Sequence, residues 1–393
     1  MQGSIIVNKA LSFINDKRVR DWIYQIAAVA FLVGLTIFFV RNASENMVKA
    51  GIASGFGFLW RTSGIEVPFV LTGYTQSDNI FSLFWVGVAN TMLVTVIGIV
   101  LATLLGFVIG IARLSSHWLT SAIAGAYIEF VRNIPLLFFV LFWYFGVIAA
   151  LPAPRQSIGL FGVAFLNNRG LTIPLPDSVD NLRWAALIVL ASWVAYGLIS
   201  VWARRRKERT GQDAPLLAIG IGLILVIPAL AIAWASLATR WDVPVLRGFN
   251  YRGGFAVIPE FVALLAALVT YTAGFIAEIV RGGIESVPKG QTEAAGALGL
   301  RPGRILSLVV IPQALRVMMP PLTNQYLNVL KNSSFGAAIA YPDVVSLFMG
   351  SALNNTGQAI EIIAMTLAVY LVIGLAVSGL MNWYNARIAL VTR

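Results

Sequence analysis

The sequence predicts an all-α polytopic membrane protein with about eight transmembrane helices. Three observations predict it. Charged residues fill only 11% of 393 positions while apolar residues fill 58%, against roughly a quarter charged in a soluble domain. Mean hydropathy is +0.81. The apolar residues also gather in eight runs, near 23–40, 81–111, 121–150, 184–203, 215–236, 259–281, 305–335 and 361–386, close to the about 20 residues that cross a bilayer.

Residues 1–80 comprise a polar N-terminal segment, the first span and a long loop. No small-residue cleavage site follows the first run, which is expected to remain as an anchor. The second run holds 31 residues, about 46 Å of helix at about 1.5 Å each. That exceeds the hydrocarbon core of about 30 Å, so it must tilt or project. Within it Ala102, Gly106 and Gly110 recur every four residues, a spacing that lets helices pack closely. Asn90 and Thr91 lie higher on the same helix, able to bond across helices or to line a polar path. The third run carries Glu129 and Arg132, which at i and i+3 can pair on one face. They mark either the membrane boundary, with the true span starting near Pro135, or a gate.

The fourth and fifth runs sit in a block, 151–258, that separates residues 81–150 from residues 259–393. Its loops, 151–183 and 237–258, contain Pro152, Pro154, Pro174 and Pro176 among glycines and asparagines, which predicts irregular or short-helical caps. The sixth and seventh runs enclose a loop at 282–304, and the eighth closes the chain.

Net charge is +11, but the basic residues lie between apolar runs and lack the solvated, aromatic-bearing face that nucleic acid requires. They read instead as topology signals. Lys9, Lys17, Arg18, Arg20, Arg113, the Arg204-Arg205-Arg206-Lys207 cluster, Arg281, Lys289, Arg301, Arg304, Arg387 and Arg393 all fall on one side if eight spans alternate. The longer opposite loops, 41–80, 151–183 and 237–258, carry Arg41, Lys49, Arg61, Arg155, Arg169, Arg183, Arg240, Arg247 and Arg252, so the bias is not clean and the Arg204 cluster is its strongest element; it predicts both termini in the cytoplasm. With no cysteine and only His117, neither a disulfide nor a thiolate or histidine metal cluster can form.

The loop at 282–304 carries the most information. Pro288 can start a helix that continues from Gly290 to Leu298, with Ala294, Ala295 and Leu298 on one stripe. Gly299 suits a left-handed stop, and Arg301-Pro302-Gly303 prevents continuation. Alanines would let a partner's backbone approach closely, while Glu293 offers one orienting charge. Such a helix suits docking better than chemistry.

Glu293-Ala294-Ala295, three residues, Gly299, nine residues, then Val309-x-Ile311-Pro312 resembles the signature loop of ABC-importer permease subunits. Residues Ala277 to Ile284, Gly290-Gln291 and Pro312 to Arg316 are similar to the polar amino acid (histidine, glutamine and general L-amino acid) branch. Asn90-Thr91 and Ile111 to Ser115 are similar to the same branch. Val309 and Ile311 stand where the family more often has Ile and Leu. The resemblance implies a five-helix type I importer core over about 81–150 and 259–390, with 151–258 as an insertion carrying two extra helices. It implies that Gly290, Glu293, Ala294, Ala295, Leu298 and Gly299 form a coupling helix seated on a cytoplasmic ABC ATPase dimer. ATP and Mg would bind that ATPase, since this chain has no Gly-Lys-Ser or Gly-Lys-Thr phosphate loop; the chain itself would be no enzyme and hold no cofactor. The further implied partners are a second, homologous permease in a heterodimer, a periplasmic amino acid-binding protein and the amino acid itself, in a bacterial inner membrane.

In the seventh run Pro312, Pro320 and Pro321 are expected to interrupt the helix, and Asn324, Asn328, Lys331, Ser333 and Ser334 follow. Broken helices expose backbone groups that transport sites use, so these residues are candidates for the translocation path. Lys331 to Ser334 resembles the family's polar stretch, with Phe335 in place of an aliphatic residue. The competing reading for Lys331 is snorkelling to the interface. For the whole chain the alternative is an ion-coupled secondary amino acid transporter using Glu129, Glu278 or Glu361.

Overall fold

Long apolar helices dominate the computed structural model, which describes residues 17–49, 55–212 and 214–388. Lys9 and Arg393, used above for sidedness, lie outside them. In chain order the helices are α1 (Lys17–Lys49), α2 (Ile80–Arg113), α3 (Trp118–Asn133), α4 (Leu136–Ile148), α5 (Asp180–Thr210), α6 (Leu216–Ala238), α7 (Pro259–Glu285), α8 (Lys289–Ala297), α9 (Pro302–Ile339), α10 (Val345–Ala352) and α11 (Ala359–Ile388). Seven of these are long and apolar enough to cross a membrane, and α3 with α4, bent by 107°, makes an eighth. Each predicted run therefore has its helix or helix pair.

The centre of the bundle is α2 against α7. Small residues make that contact possible: a Cβ on Gly106 would lie 2.6 Å from Cβ and Cγ2 of Ile276, and one on Gly110 would lie 2.8 Å from Ala277 O and Val280 Cβ. The four-residue repeat of Ala102, Gly106 and Gly110 is thus a packing seam. Gly106 meets Ile276 and Gly110 meets Val280, so the two helices run parallel. Helix α9 returns between them, with Val329 against Gly98 near the middle of α2 and Met318 against Gly283. One end of the bundle therefore carries Arg113, Glu285 and the loop to α9, and the other carries the starts of α2, α5 and α7. We call these the loop end and the cap end.

Among the described residues three large apolar clusters fill the interior, and a small one, Ala185 with Ala231 and Ala235, joins α5 to α6. Phe69, Phe261 and Tyr341 stack around Leu264 and Leu268. A short 3-10 turn, Phe56–Trp60, drives Phe58 and Leu59 against Leu83, Phe348 and Ile362. Nearest the loop end, Ile276, Val280, Val287, Val310, Ala314 and Met318 pack together. Helix α1 has none of its span buried against the rest.

Two expectations need correction. The loops at 151–183 and 237–258 form strands, with only Pro154–Gln156 as a short helical turn. These are β1 (Ile158–Leu160), β2 (Ala164–Asn167), β3 (Gly170–Ile173), β4 (Leu175–Pro176), β5 (Trp241–Asp242), β6 (Val245–Arg247), β7 (Asn250–Arg252) and β8 (Phe255–Val257). An antiparallel sheet of order β1-β2-β3-β8 stands beside two paired ribbons, β4-β5 and β6-β7. Strands of two to four residues are too short to display alternation in sequence.

Second, Pro320 and Pro321 do not interrupt α9. Pro312 stands in the first turn of a helical stretch, Ile311–Asn332, and Pro320 and Pro321 lie inside it. The irregularities are π-winding over Leu306–Val310, where Pro312 lacks the N–H that would reach Leu308 O, and a 3-10 finish over Ser333–Ile339. A proline removes one backbone bond, and burial of Met318, Met319 and Leu322 around the pair holds the helix together.

Candidate functional site: the loop helix and the α9 face

At the loop end α7 stops at Glu285, and Val287 turns inward, buried against Ile276, Val310, Ala314 and Met318. Pro288 then caps α8 from outside rather than occupying its first turn. The helix is nine residues long. Leu298 N–H donates to Ala294 O at 3.2 Å and Gly299 N–H to Gly296 O at 2.9 Å. Gly299 takes φ +77° with open space around it, which is the left-handed stop expected of a C-terminal glycine. Arg301-Pro302-Gly303 does more than prevent continuation: Arg301 caps, and Pro302 begins, the next helix.

The stripe divides differently from the expectation. Ala295 is only 6% exposed and faces the chain itself, whereas Leu298 is 83% exposed. Gly290, Glu293 and Ala294 are also exposed. The outward face is therefore Gly290, Glu293, Ala294 and Leu298, with Ala295 as the root. A nine-residue helix is marginal alone, so the buried Val287 and Ala295 hold it to the bundle.

At the loop end α7 also carries a set of ion pairs that sequence inspection did not identify as such. Arg281 donates Nη2 to Glu278 Oε1 at 2.6 Å and Nε to Oε2 at 3.0 Å, and also pairs with Glu285. A bidentate guanidinium fork of this kind is a strong, oriented contact. Arg113 binds Ser121 through Nη1 at 2.8 Å and lies against Gly125, where a Cβ would come within 3.0 Å of its guanidinium. The signal was available as Glu278-x-x-Arg281-x-x-x-Glu285, charges at i+3 and i+4 on one helix.

The α9 candidates separate into two groups. Asn324, Asn328 and Lys331 fall at i, i+4 and i+7 on one face, and all three are exposed. Val329 packs at the level of Gly98, so this polar row lies near mid-bundle depth. Ser333 is fully buried, and its hydroxyl donates to Leu330 O at 2.7 Å. Ser334 likewise donates to Lys331 O at 2.7 Å. These two hydroxyls finish the helix rather than extend the row.

Asn90 and Thr91 do not join it either. Both are 0% exposed. Asn90 Nδ2 donates to Phe69 O at 3.1 Å and Pro342 O at 2.9 Å. Tyr341 Oη donates back to Asn90 O at 2.9 Å, and Val344 N–H donates to Thr91 Oγ1 at 3.1 Å. They clamp the segment after α9 onto α2. In that segment Asp343 is also fully buried, with Oδ1 accepting from Ser346 N–H at 2.7 Å.

The whole chain can now be set against known proteins. The model of the binding-protein-dependent transport system inner membrane component matches residues 98–390. The chain belongs to that family. It is 50% identical over 388 residues to the putative amino-acid ABC transporter permease protein YhdX of Escherichia coli (strain K12), covering 98% of each chain. It is 45% identical to the general L-amino acid transport system permease protein AapQ of Rhizobium johnstonii, over 97% of this chain and 95% of that one. Against the glutamate/glutamine/aspartate/asparagine transport system permease protein BztB of Rhodobacter capsulatus, identity is 39% over 97% and 96%. The match to YhdX covers the block 151–258 as well as both flanks.

Glu129 and Arg132 remain to be placed. Both are exposed on α3, and among the described residues no ion pair joins them. Val131 between them packs on Gly274, midway along α7, so the stretch is part of the packed bundle. The 107° bend follows at Ile134-Pro135, where a residue before proline leaves the helical region.

Proposed function

We propose that this chain is the membrane permease subunit of an ATP-driven importer for L-amino acids. The observation that carries the reading is α8: a short helix with a buried root, a glycine stop and an outward face of Gly290, Glu293, Ala294 and Leu298. Nothing in the bundle needs that face. It suits a cleft in a cytoplasmic ABC ATPase, and ATP with Mg would act there, in the partner. Closure of the ATPase dimer would push α8, and Val287 with Ala295 would pass the displacement to α7 and α9.

The polar row of Asn324, Asn328 and Lys331 supports a second part of the reading. A lysine at the centre of a membrane helix costs about 2.5–3.5 kcal/mol on insertion scales, so a row of this kind is best covered by protein or water. A second, homologous permease facing α9 in a heterodimer would do both, leaving the row on a shared path where Lys331 attracts a substrate carboxylate. The relatives' names support amino acids as cargo. The Arg205-Arg206-Lys207 cluster lies toward the loop end with Arg113, Arg281, Lys289, Arg301 and Arg304, while Arg61, Arg155, Arg169, Arg183, Arg240, Arg247 and Arg252 lie toward the cap end; we read the clustered side, and both termini with it, as cytoplasmic. The cap end would then meet a periplasmic binding protein.

The test is a Leu298→Cys crosslink in native inner membranes. Capture of an ABC ATPase at that position, together with amino acid uptake that stops on ATP depletion, is the expected result. Uptake that survives ATP depletion but collapses with a protonophore would replace the reading with a secondary carrier.

A further inference from the structure

The strands at the cap end build a surface that transport through the bundle leaves unused. β1 and β2 join through a turn in which Phe161 and Gly162 are both left-handed, at φ 53° and 74°. Val163 N–H closes it onto Leu160 O at 3.3 Å. Asparagine and glycine are the usual residues of such turns, and a left-handed phenylalanine costs about 1–2 kcal/mol. Phe161 is 99% exposed, so no contact within the chain offsets that strain. β6 and β7 join through Gly248, at φ 68°, and Phe249, which is 72% exposed. Two neighbouring hairpins thus each hold a phenylalanine out at the tip.

The hairpins are fixed to one another. Phe165 and Tyr251 stack with centroids 4.5 Å apart. Arg155 lies over the Phe249 ring at 4.4 Å and donates Nε to Gly248 O at 3.4 Å, while Arg169 donates to Asn250 Oδ1. Arg155, Arg169, Arg247 and Arg252 are all exposed, and among the described residues none is in an ion pair. The nearby carboxylates are used elsewhere: Asp180 pairs with Arg183 at 3.7 Å and Asp242 accepts from Gly254 N–H at 2.8 Å.

Exposed aromatics among ordered, unneutralised guanidiniums match the composition of interface hot spots. Guanidiniums of this kind take carboxylates in bidentate fashion. We propose that the β1-β2 and β6-β7 hairpins form the docking surface for the extracytoplasmic binding protein, which presents an acidic rim to the four arginines and recesses to Phe161 and Phe249. The proposal rests on the importer reading. An anionic lipid surface shares the attraction to arginine. Guanidiniums pinned by Phe249, Gly248 and Asn250 favour a shaped partner over a fluid one.

The test uses the complete transporter in proteoliposomes and varies the concentration of purified, substrate-loaded binding protein. Phe161→Asn keeps a turn-compatible residue, and Arg247→Glu reverses a charge. The pair together should raise the half-saturating concentration of binding protein about tenfold or more, with the uptake rate at saturation unchanged, which also reports an intact fold. An unchanged half-saturating concentration overturns the proposal. So does a shift that appears in anionic liposomes and vanishes in zwitterionic ones, since that makes the hairpins a lipid contact. Absence of ATP-driven uptake in the unsubstituted transporter would instead overturn the importer reading itself, before any hairpin variant is compared.

Discussion

Three glycines on one helix make a graded test of how the bundle is held together. Substituting alanine at Gly98, Gly106 and Gly110 in α2 adds the same methyl group in three different surroundings. At Gly98 the new Cβ would meet Val329 Cγ1 at 3.6 Å and Leu265 Cδ1 at 3.9 Å, ordinary contact distances. Alanine also suits a helix better than glycine by about 0.5–1 kcal/mol, so Gly98→Ala should be neutral or stabilising. At Gly106 the new Cβ falls 2.6 Å from two atoms of Ile276 and 3.1 Å from Ala273 O, about 1 Å inside normal contact. Overpacking of that kind costs about 1–3 kcal/mol, which leaves a net loss of up to about 2.5 kcal/mol after the helix gain. Gly110→Ala, meeting Ala277 O and Val280 Cβ at 2.8 Å, should behave like Gly106→Ala. The assay is thermal or SDS-induced unfolding of the detergent-solubilised transporter. Because Cβ and Cγ2 of Ile276 make the clash, Ile276→Val should give Gly106→Ala no relief and Ile276→Ala should give some. Equal effects of Gly98→Ala and Gly106→Ala would refute the α2–α7 seam.

The remaining predictions concern the loop helix, the α9 row and the clamp on α2. Single cysteines at Ala294 and Leu298 should crosslink to the ATPase readily, and one at the inward Ala295 far less, as read on denaturing gels. At Gly299, with its left-handed φ, Asp should lower ATP-coupled uptake and Val should lower it further, because a β-branched residue tolerates that backbone least; equal uptake by all three would remove the turn from the coupling mechanism. Lys331→Met should leave the unfolding midpoint unchanged and reduce uptake by roughly ten- to a hundredfold if it meets a substrate carboxylate, the size of a lost charged hydrogen bond of about 1.5–3 kcal/mol. Thr91→Val should strand the Val344 N–H and destabilise by about 1–3 kcal/mol, visible in the same unfolding assay.

What the sequence made legible were the features set by sums along the chain. Eight spans appear because bilayer transfer depends on local apolar content, and the Gly106 and Gly110 seam appears because its period matches the helix. Gly299 was legible because few other residues accept its φ. The rest depends on what arrives from far away. Ala294 and Ala295 are chemically identical neighbours, and only the packing of the Pro302–Val310 stretch against α8 decides which one is buried. Asn90 reads as a polar membrane residue with an open role until Phe69, Tyr341 and Pro342 close around it from 21 to 252 residues away. Pro320 and Pro321 read as breakers because local propensity counts the lost bonds but not the buried methionines beside them. The same logic makes Phe161 informative: an apolar residue in a backbone state that disfavours it, with no distant contact to explain it, points beyond the chain. The loop helix points the same way at the opposite end, since Leu298 is left outside although an apolar cluster begins at Val287. Local choices that the fold does not account for occur at both ends of the bundle, where an importer permease would meet its partners.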